Sequence, residues 1–179
     1  MKPLPPSSAR YTLFVLFLIN FLNFFDRNLP AITAEPLRRE FGLNDTMLGL
    51  LATAFVLVYA LAGLPLGRLS DRVQRSRVLA GGVFVWSLFT AAAGMAWNVA
   101  TLLVSRIGVG IGEASCAPAA NAIIGDLYES KKRARAIGLF MLGLPVGSLA
   151  CFALGGYFTQ VYGCRAMYLL AAVPGAIDR

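Results

Sequence analysis

The sequence contains no histidine, and only 14% of its 179 residues are charged against 58% hydrophobic. A water-soluble domain carries about 25% charged residues, so this chain has too little polar surface to coat itself in water. Without histidine it lacks the usual group for proton exchange near neutral pH and a common metal ligand. Cysteine is scarce and odd in number: Cys116, Cys151 and Cys164 show no paired spacing, which argues against a disulfide framework or a metal centre and leaves free thiols filling small gaps. No nucleophile with a base, no metal cluster and no cofactor loop can be picked out, so an enzyme is the least expected class and neither cofactor nor metal is expected. The eighteen glycines and nine prolines are scattered, which removes low-complexity and collagen-like chains.

What the sequence does have is long apolar runs, with a mean hydropathy of +0.68. Six can be marked, at residues 11–34, 46–66, 78–96, 99–124 and 134–158, with the sixth starting near Arg165. Each of the first five is long enough to cross a bilayer, which takes about 20 residues. The sixth is expected to be truncated at Arg179, because the residues after Arg165 cover only about 21 Å at 1.5 Å each. The first run follows Lys2 and Arg10, and its Ile32-Thr33-Ala34 has the small-residue look of a signal-peptide cleavage site. Asp26 and Arg27 interrupt it and further spans follow, so it reads as a retained membrane helix. The predicted fold is an all-α membrane protein, one six-helix bundle over residues 1–179 with a cytoplasmic tail at 1–10.

The net charge of +7 is not a nucleic-acid footprint, because the sixteen Lys and Arg lie in short blocks between apolar runs. Lys2 and Arg10 precede the first span, Arg68, Arg72, Arg75 and Arg77 follow the second, and Lys131, Lys132, Arg133 and Arg135 follow the fourth. All of these fall on one side. The other side carries only Arg38, Arg39 and Arg165, so the positive-inside rule places the amino terminus in the cytoplasm. Trp97, Tyr157 and Tyr162 then fall where interfacial aromatics belong.

Four charges lie inside the apolar runs, where each costs at least about 2.5–3.5 kcal/mol at mid-helix: Asp26, Arg27, Arg106 and Glu113. Arg106, Gly110 and Glu113 are spaced i, i+4, i+7, so both charges share a helix face about 10 Å apart along the axis. Counting depth along the helices brings Asp26 level with Arg106 and leaves Glu113 nearer the cytoplasm. Asp26 and Arg106 are therefore expected to pair, either as a structural pin or as part of a transport site. Glu113 has no evident partner at its depth, and a carboxylate stranded in hydrocarbon readily takes up a proton. With no histidine present, Glu113 and Asp26 are the candidate proton-exchanging groups. Asn20, Asn23 and Arg27, at i, i+3, i+7, line either a substrate cavity or a polar seam between helices.

In residues 106–115, RIGVGIGEAS, glycine recurs at every second position, and Gly138, Gly143, Gly147, Gly155 and Gly156 repeat the pattern in the fifth run. No strand precedes the first set, so it is not a phosphate loop. Small residues at this density let helices approach closely. Pro118 and Pro145 are expected to kink their helices.

The segment Gly67-Arg68-Leu69-Ser70-Asp71-Arg72-Val73-Gln74-Arg75-Ser76-Arg77 resembles the signature loop between the second and third helices of the major facilitator superfamily. Gln74 stands where the family pattern usually has Gly. The resemblance implies a charge relay of Asp71, Arg72 and Arg75 that holds one conformation, joined by Arg133 or Arg135. The stretch Gly143-Leu144-Pro145-Val146-Gly147 is similar to the fifth-helix motif but departs from its Gly-Pro order. Residues 23–30, NFFDRNLP, with Gly110-Ile111-Gly112-Glu113-Ala114-Ser115 and Pro118-Ala119-Ala120, resemble the Spinster-like branch, whose members move lysophospholipids and sphingosine-type lipids. Organic-anion symporters of the superfamily carry similar features and remain an alternative.

The resemblance implies the amino-terminal half of a two-half secondary transporter that alternates by rocking. Its partners would be a small-molecule or lipid substrate, protons, and either a carboxy-terminal half or a second copy of itself. Glu113 would be the proton-responsive carboxylate, Arg106 the anchor for an anionic headgroup, and Asp26 its competitor. A non-transporting six-helix product is the remaining alternative.

Overall fold

A computed structural model describes residues 6–172. Lys2 and residues 173–179, with the expected end of the sixth span, lie outside the described residues. Among those described there is no strand, and ten helical segments follow one another. They are α1 (Pro6–Ile32), α2 (Ala34–Phe41), α3 (Asp45–Arg72), α4 (Arg75–Gly94), α5 (Val99–Glu113), α6 (Cys116–Leu127), α7 (Ser130–Met141), α8 (Gly143–Ala150), a π-helical turn (Cys151–Gly155) and α9 (Gly156–Ala172). The expected tail at 1–10 is already helical from Pro6.

The starts and stops follow local chemistry. Asn44 caps α3 by accepting the Met47 amide at 2.8 Å, and Asn98 with Thr101 forms a reciprocal capping box on α5. Gly42 ends α2 in the left-handed region at φ 63°, which glycine enters without a Cβ clash.

Proline accounts for the internal breaks. Pro118 has no amide to offer the Ala114 carbonyl, and the helix is interrupted at Ala114 and Ser115. Pro145 stands in the same relation to Met141, and the break falls at Leu142. The fourth pass is therefore α5 plus α6, and the fifth begins as α7 plus α8. The helical stretch Ser130–Ala172 is 43 residues long, twice what one crossing needs. It holds two passes, because Gly163 at φ 83°, ψ 163° turns the chain between them. The sixth pass thus begins at Cys164, beside the expected Arg165.

Six successive passes alternate direction, and contacts at the two ends show it. At one end Tyr128 Oη donates to the Ala9 carbonyl at 3.1 Å, and Arg75 pairs with Asp126. At the other, Arg165 bonds both Glu40 and the Ala96 carbonyl. Within the bundle α4 packs on α5 and α9, α3 on α5, and α1 on α8.

Two apolar clusters fill the interior. One gathers Leu16, Val83, Trp86, Val109, Ala120 and Phe140, and the other Leu29, Ala93, Leu102, Cys151, Met167 and Tyr168. Between them along α1, α4 and α5 fall the buried polar residues Asn20, Asn23, Asp26, Ser87, Thr90, Ser105 and Arg106. All three cysteines are buried and free.

Glycine permits two of the closest crossings. A methyl group at Gly112 would lie 2.5 Å from the Trp86 amide nitrogen and 2.8 Å from the Gly82 carbonyl, and one at Gly147 would collide with the Phe21 carbonyl. Gly138 and Gly156 do not serve this purpose, contrary to the pattern in the sequence, since nothing lies within 4 Å of a Cβ at either. They sit on the outward side of their helix, where glycine spacing alone carries no packing demand. Gly147→Ala is therefore expected to destabilise the bundle by about 1–3 kcal/mol through overpacking against backbone. Gly138→Ala should leave stability equal or raised, because alanine is the better helix former. Thermal unfolding of the two variants in the same detergent measures the difference.

Candidate functional site

The buried charges do not pair as depth counting suggested. Glu113, fully buried, accepts from Arg27 Nε at 3.2 Å and Nη2 at 3.1 Å. Glu113 thus has a partner after all. Depth along the helix axis locates Cα atoms, and the arginine side chain spans more than a helical turn. Arg27 reaches from its own level on α1 to the foot of α5, and its side chain stays 26% exposed.

Asp26 and Arg106 form no ion pair within 4.0 Å among the described residues. Asp26 Oδ2 accepts instead from Thr90 Oγ1 on α4 at 2.7 Å, while its Oδ1 has no partner. Successive residues on a helix point about 100° apart, so Asp26 is aimed at α4 when Arg27 is aimed at α5. Arg106 is 3% exposed, and its Nε and Nη1 have no hydrogen-bond partner. Glu113 Oε1 is also unpartnered.

Aromatic rings take up the rest of the cationic surface. The Arg27 Cζ lies 4.4 Å from the centre of the Tyr59 ring, 4.9 Å from Phe24 and 5.4 Å from Phe55. Arg106 lies 5.6 Å from the same Phe55 ring. One phenyl group is thus shared by two guanidinium groups, each attracted to its negative face. Phe55 and Tyr59 are spaced i, i+4 on α3 and stack at 6.1 Å. That spacing and the Ser87–Thr90 pair in the third run were the available sequence signals for this wall, and neither involves a charge.

The asparagines divide. Asn20 Nδ2 donates to the Phe140 carbonyl at 2.9 Å, so it joins α1 to α7 as a polar seam. Asn23 Nδ2 is buried without a partner. Asn28 donates to Ser148 Oγ at 3.0 Å, and Thr33 shares a 3.0 Å hydrogen bond with the fully buried Tyr168. Asn28 falls within the NFFDRNLP motif, whereas Ser148 and Tyr168 have no charged neighbour in the sequence to set them apart.

In the last turns of α3, Gly67 faces Pro118, whose Cβ would be 3.8 Å from a Cβ at that position. Asp71 and Arg72 are exposed at the end of α3. The acid that meets Arg75 is Asp126, not Asp71, and Arg75 also donates to the Ala122 carbonyl at 3.3 Å. Asp71 makes no ion pair among the described residues, because α3 turns Ser70 inward at this point. Arg133 donates to the Gly125 carbonyl at 2.8 Å, and Arg135 is exposed on α7.

Residues 16–177 match the Major Facilitator Superfamily. A sphingosine-1-phosphate transporter of Danio rerio is 34% identical over 146 residues, covering 79% of this chain and 28% of that protein. The Escherichia coli protein named "Probable L-galactonate transporter" is 35% identical over 161 residues, covering 90% of this chain and 36% of that one. A crystal structure of a bacterial homologue of the human lysosomal transporter Spinster, inward-facing and unoccupied, superposes with a TM-score of 0.88 at 32% identity. That match covers 97% of this chain and 42% of the solved one. The chain spans less than half the length of the relatives it matches, and its six passes have the architecture of the superfamily's amino-terminal half.

Thr90 is the hydrogen-bond donor to a buried carboxylate, an interaction worth about 1.5–3 kcal/mol when one partner is charged. Thr90→Val is expected to lower stability by about that amount, while Thr90→Ser keeps the donor and loses less. Chemical or thermal unfolding of both variants against the parent provides the measurement.

Proposed function

Since the chain belongs to the major facilitator superfamily, a family of multi-pass membrane transporters, we propose that it forms one of two six-helix halves of a proton-linked secondary transporter for an amphipathic anion such as a lysophospholipid. The observation that carries this reading is the state of Arg106. A guanidinium 3% exposed with two unpartnered nitrogens is a buried cation short of acceptors, and a phosphate or carboxylate supplies them in bidentate geometry.

The coupling step differs from simple competition for Arg106. Asp26 stays on Thr90, so an anion can approach Arg106 without first displacing a carboxylate. Protonation acts on the other pair: a neutral Glu113 loses its charge attraction for Arg27, leaving that guanidinium on its three aromatic rings and open to the same substrate. Rocking then follows from the change in which helices the two cations hold together. The cytoplasmic gate in this reading is held by Arg75 on Asp126 and Arg133 on the Gly125 carbonyl, with Asp71, Arg72 and Arg135 exposed beside them. The one-sided distribution of Lys and Arg supports an amino terminus in the cytoplasm, and the reading takes the plasma (inner) membrane as the site of residence.

The lipid-like substrate is supported by similarity to the sphingosine-1-phosphate transporter. A small sugar acid taken up with protons is the second reading, favoured by similarity to the L-galactonate protein.

The test is uptake into proteoliposomes under an imposed pH gradient, with lysophosphatidate and L-galactonate as alternative substrates. Lysophosphatidate uptake is expected, Glu113→Gln should flatten its dependence on pH, and Arg106→Gln should weaken binding about 10–100-fold through loss of charged hydrogen bonds. Unchanged pH dependence in Glu113→Gln would remove the coupling role. Uptake of L-galactonate alone would favour the second reading.

A further inference from the structure

At the end of the bundle where Arg75 meets Asp126, the first turns of α1 and the length of α7 diverge and leave a groove of about 970 Å³ open to the outside. Its walls are apolar, with Phe14 and Phe17 on α1 facing Leu139 on α7. Phe14 is 57% exposed and Leu139 44%. Its mouth is cationic: Arg10, Lys132 and Arg135 all line it.

These cations differ from two of their neighbours. Arg75 and Arg133 at the same end are engaged by Asp126 and by the Gly125 carbonyl. Arg10, Lys132 and Arg135 have no acid within 4.0 Å among the described residues, and Glu129 is the one acidic residue on the rim. The groove is also held in shape, since Tyr128 Oη bonds the Ala9 carbonyl at 3.1 Å and ties the start of α1 to the turn between α6 and α7 at the cationic mouth.

Depth sets the chemistry of the occupant. From Arg10 to Phe17, and from Arg135 to Leu142, is seven residues of helix, or about 10 Å. Cations at the membrane surface followed by about 10 Å of aromatic and aliphatic wall match a lipid phosphate and the upper part of one acyl chain. A dissolved anion would use the cations and leave the apolar wall wet, and a zwitterionic lipid would gain little from three positive charges.

We propose that this groove is a binding site for an anionic phospholipid of the surrounding leaflet, with the phosphodiester at Arg10, Lys132 and Arg135 and an acyl chain against Phe14, Phe17 and Leu139. The site lies at the start of α1, well along the helix from Arg27, and the proposal does not depend on the transport reading. A resident lipid here would fasten the start of α1 to α7, so that the composition of the leaflet bears on how firmly the first and fifth passes stay together.

The experiment titrates the purified protein in neutral detergent with phosphatidylglycerol, phosphatidylcholine or glycerol 3-phosphate. Retained lipid is read by native mass spectrometry and stability by thermal shift. Each cation near an anionic surface favours binding about fivefold, so phosphatidylglycerol should be retained at least about tenfold over phosphatidylcholine and should raise the unfolding temperature. The preference should vanish in Arg10→Gln/Lys132→Gln/Arg135→Gln and persist in Arg77→Gln/Lys131→Gln, which removes two exposed cations from the same end of the bundle. Phe14→Asn/Leu139→Asn should weaken retention with the cations intact. Equal retention of both lipids, an unchanged preference in the triple variant, or equal stabilisation by glycerol 3-phosphate would overturn the proposal. So would a groove that takes up no lipid because another part of the protein covers it.

Discussion

The ion pair between Arg27 and Glu113 is the constraint around which this bundle is arranged. A charge placed alone at mid-helix in a bilayer costs several kcal/mol, and removing one member of a buried pair leaves the other uncompensated. Glu113 is fully buried, so the helices that carry the pair have to stay close enough for a hydrogen bond near 3 Å. That requirement links α1 to α5, which otherwise scarcely touch, and α3 closes over the pair by laying Tyr59 and Phe55 across the cation. The aromatic wall lets Arg27 remain charged in a region from which water is largely excluded.

The polar layer also explains the division of the core. Apolar packing alone would favour one continuous cluster, whereas here two clusters lie above and below the buried polar side chains of α1, α4 and α5. Where helices cross closely, at Gly112 against Trp86 and Gly147 against Phe21, backbone meets backbone. In a lipid solvent, such close packing replaces the hydrophobic drive that would hold a soluble bundle together.

Much of this was legible in the sequence. The number of passes, their alternation, the breaks next to Pro118 and Pro145, the free cysteines and the identity of the four buried charges all follow from hydropathy, charge counts and residue chemistry. Pairing was not legible. Depth arithmetic put Asp26 with Arg106 because it located Cα atoms and ignored the 100° step between Asp26 and Arg27 and the reach of an arginine side chain. Thr90 and Tyr59 were missed because a hydroxyl in an apolar run is indistinguishable from its neighbours until the facing helix is known. The π-helical turn at Cys151–Gly155 has no signature in the sequence that separates it from an ordinary helical turn, and the partner of Arg75 could be assigned only once the spacing of the two loops was known.

The two proline breaks have a mechanical consequence. A helix resists bending because each carbonyl is tied to an amide one turn ahead, and flexing it stretches those ties. At Ala114 and Met141 the tie is already missing, since Pro118 and Pro145 have nothing to donate. The fourth and fifth passes are therefore articulated rods, each with a joint that can change angle without sacrificing a hydrogen bond. The first joint sits one residue from Glu113, so the carboxylate rides at the end of a lever whose pivot it nearly touches. A small tilt of α6 can thus leave the ion pair intact while moving the far end of the rod by much more.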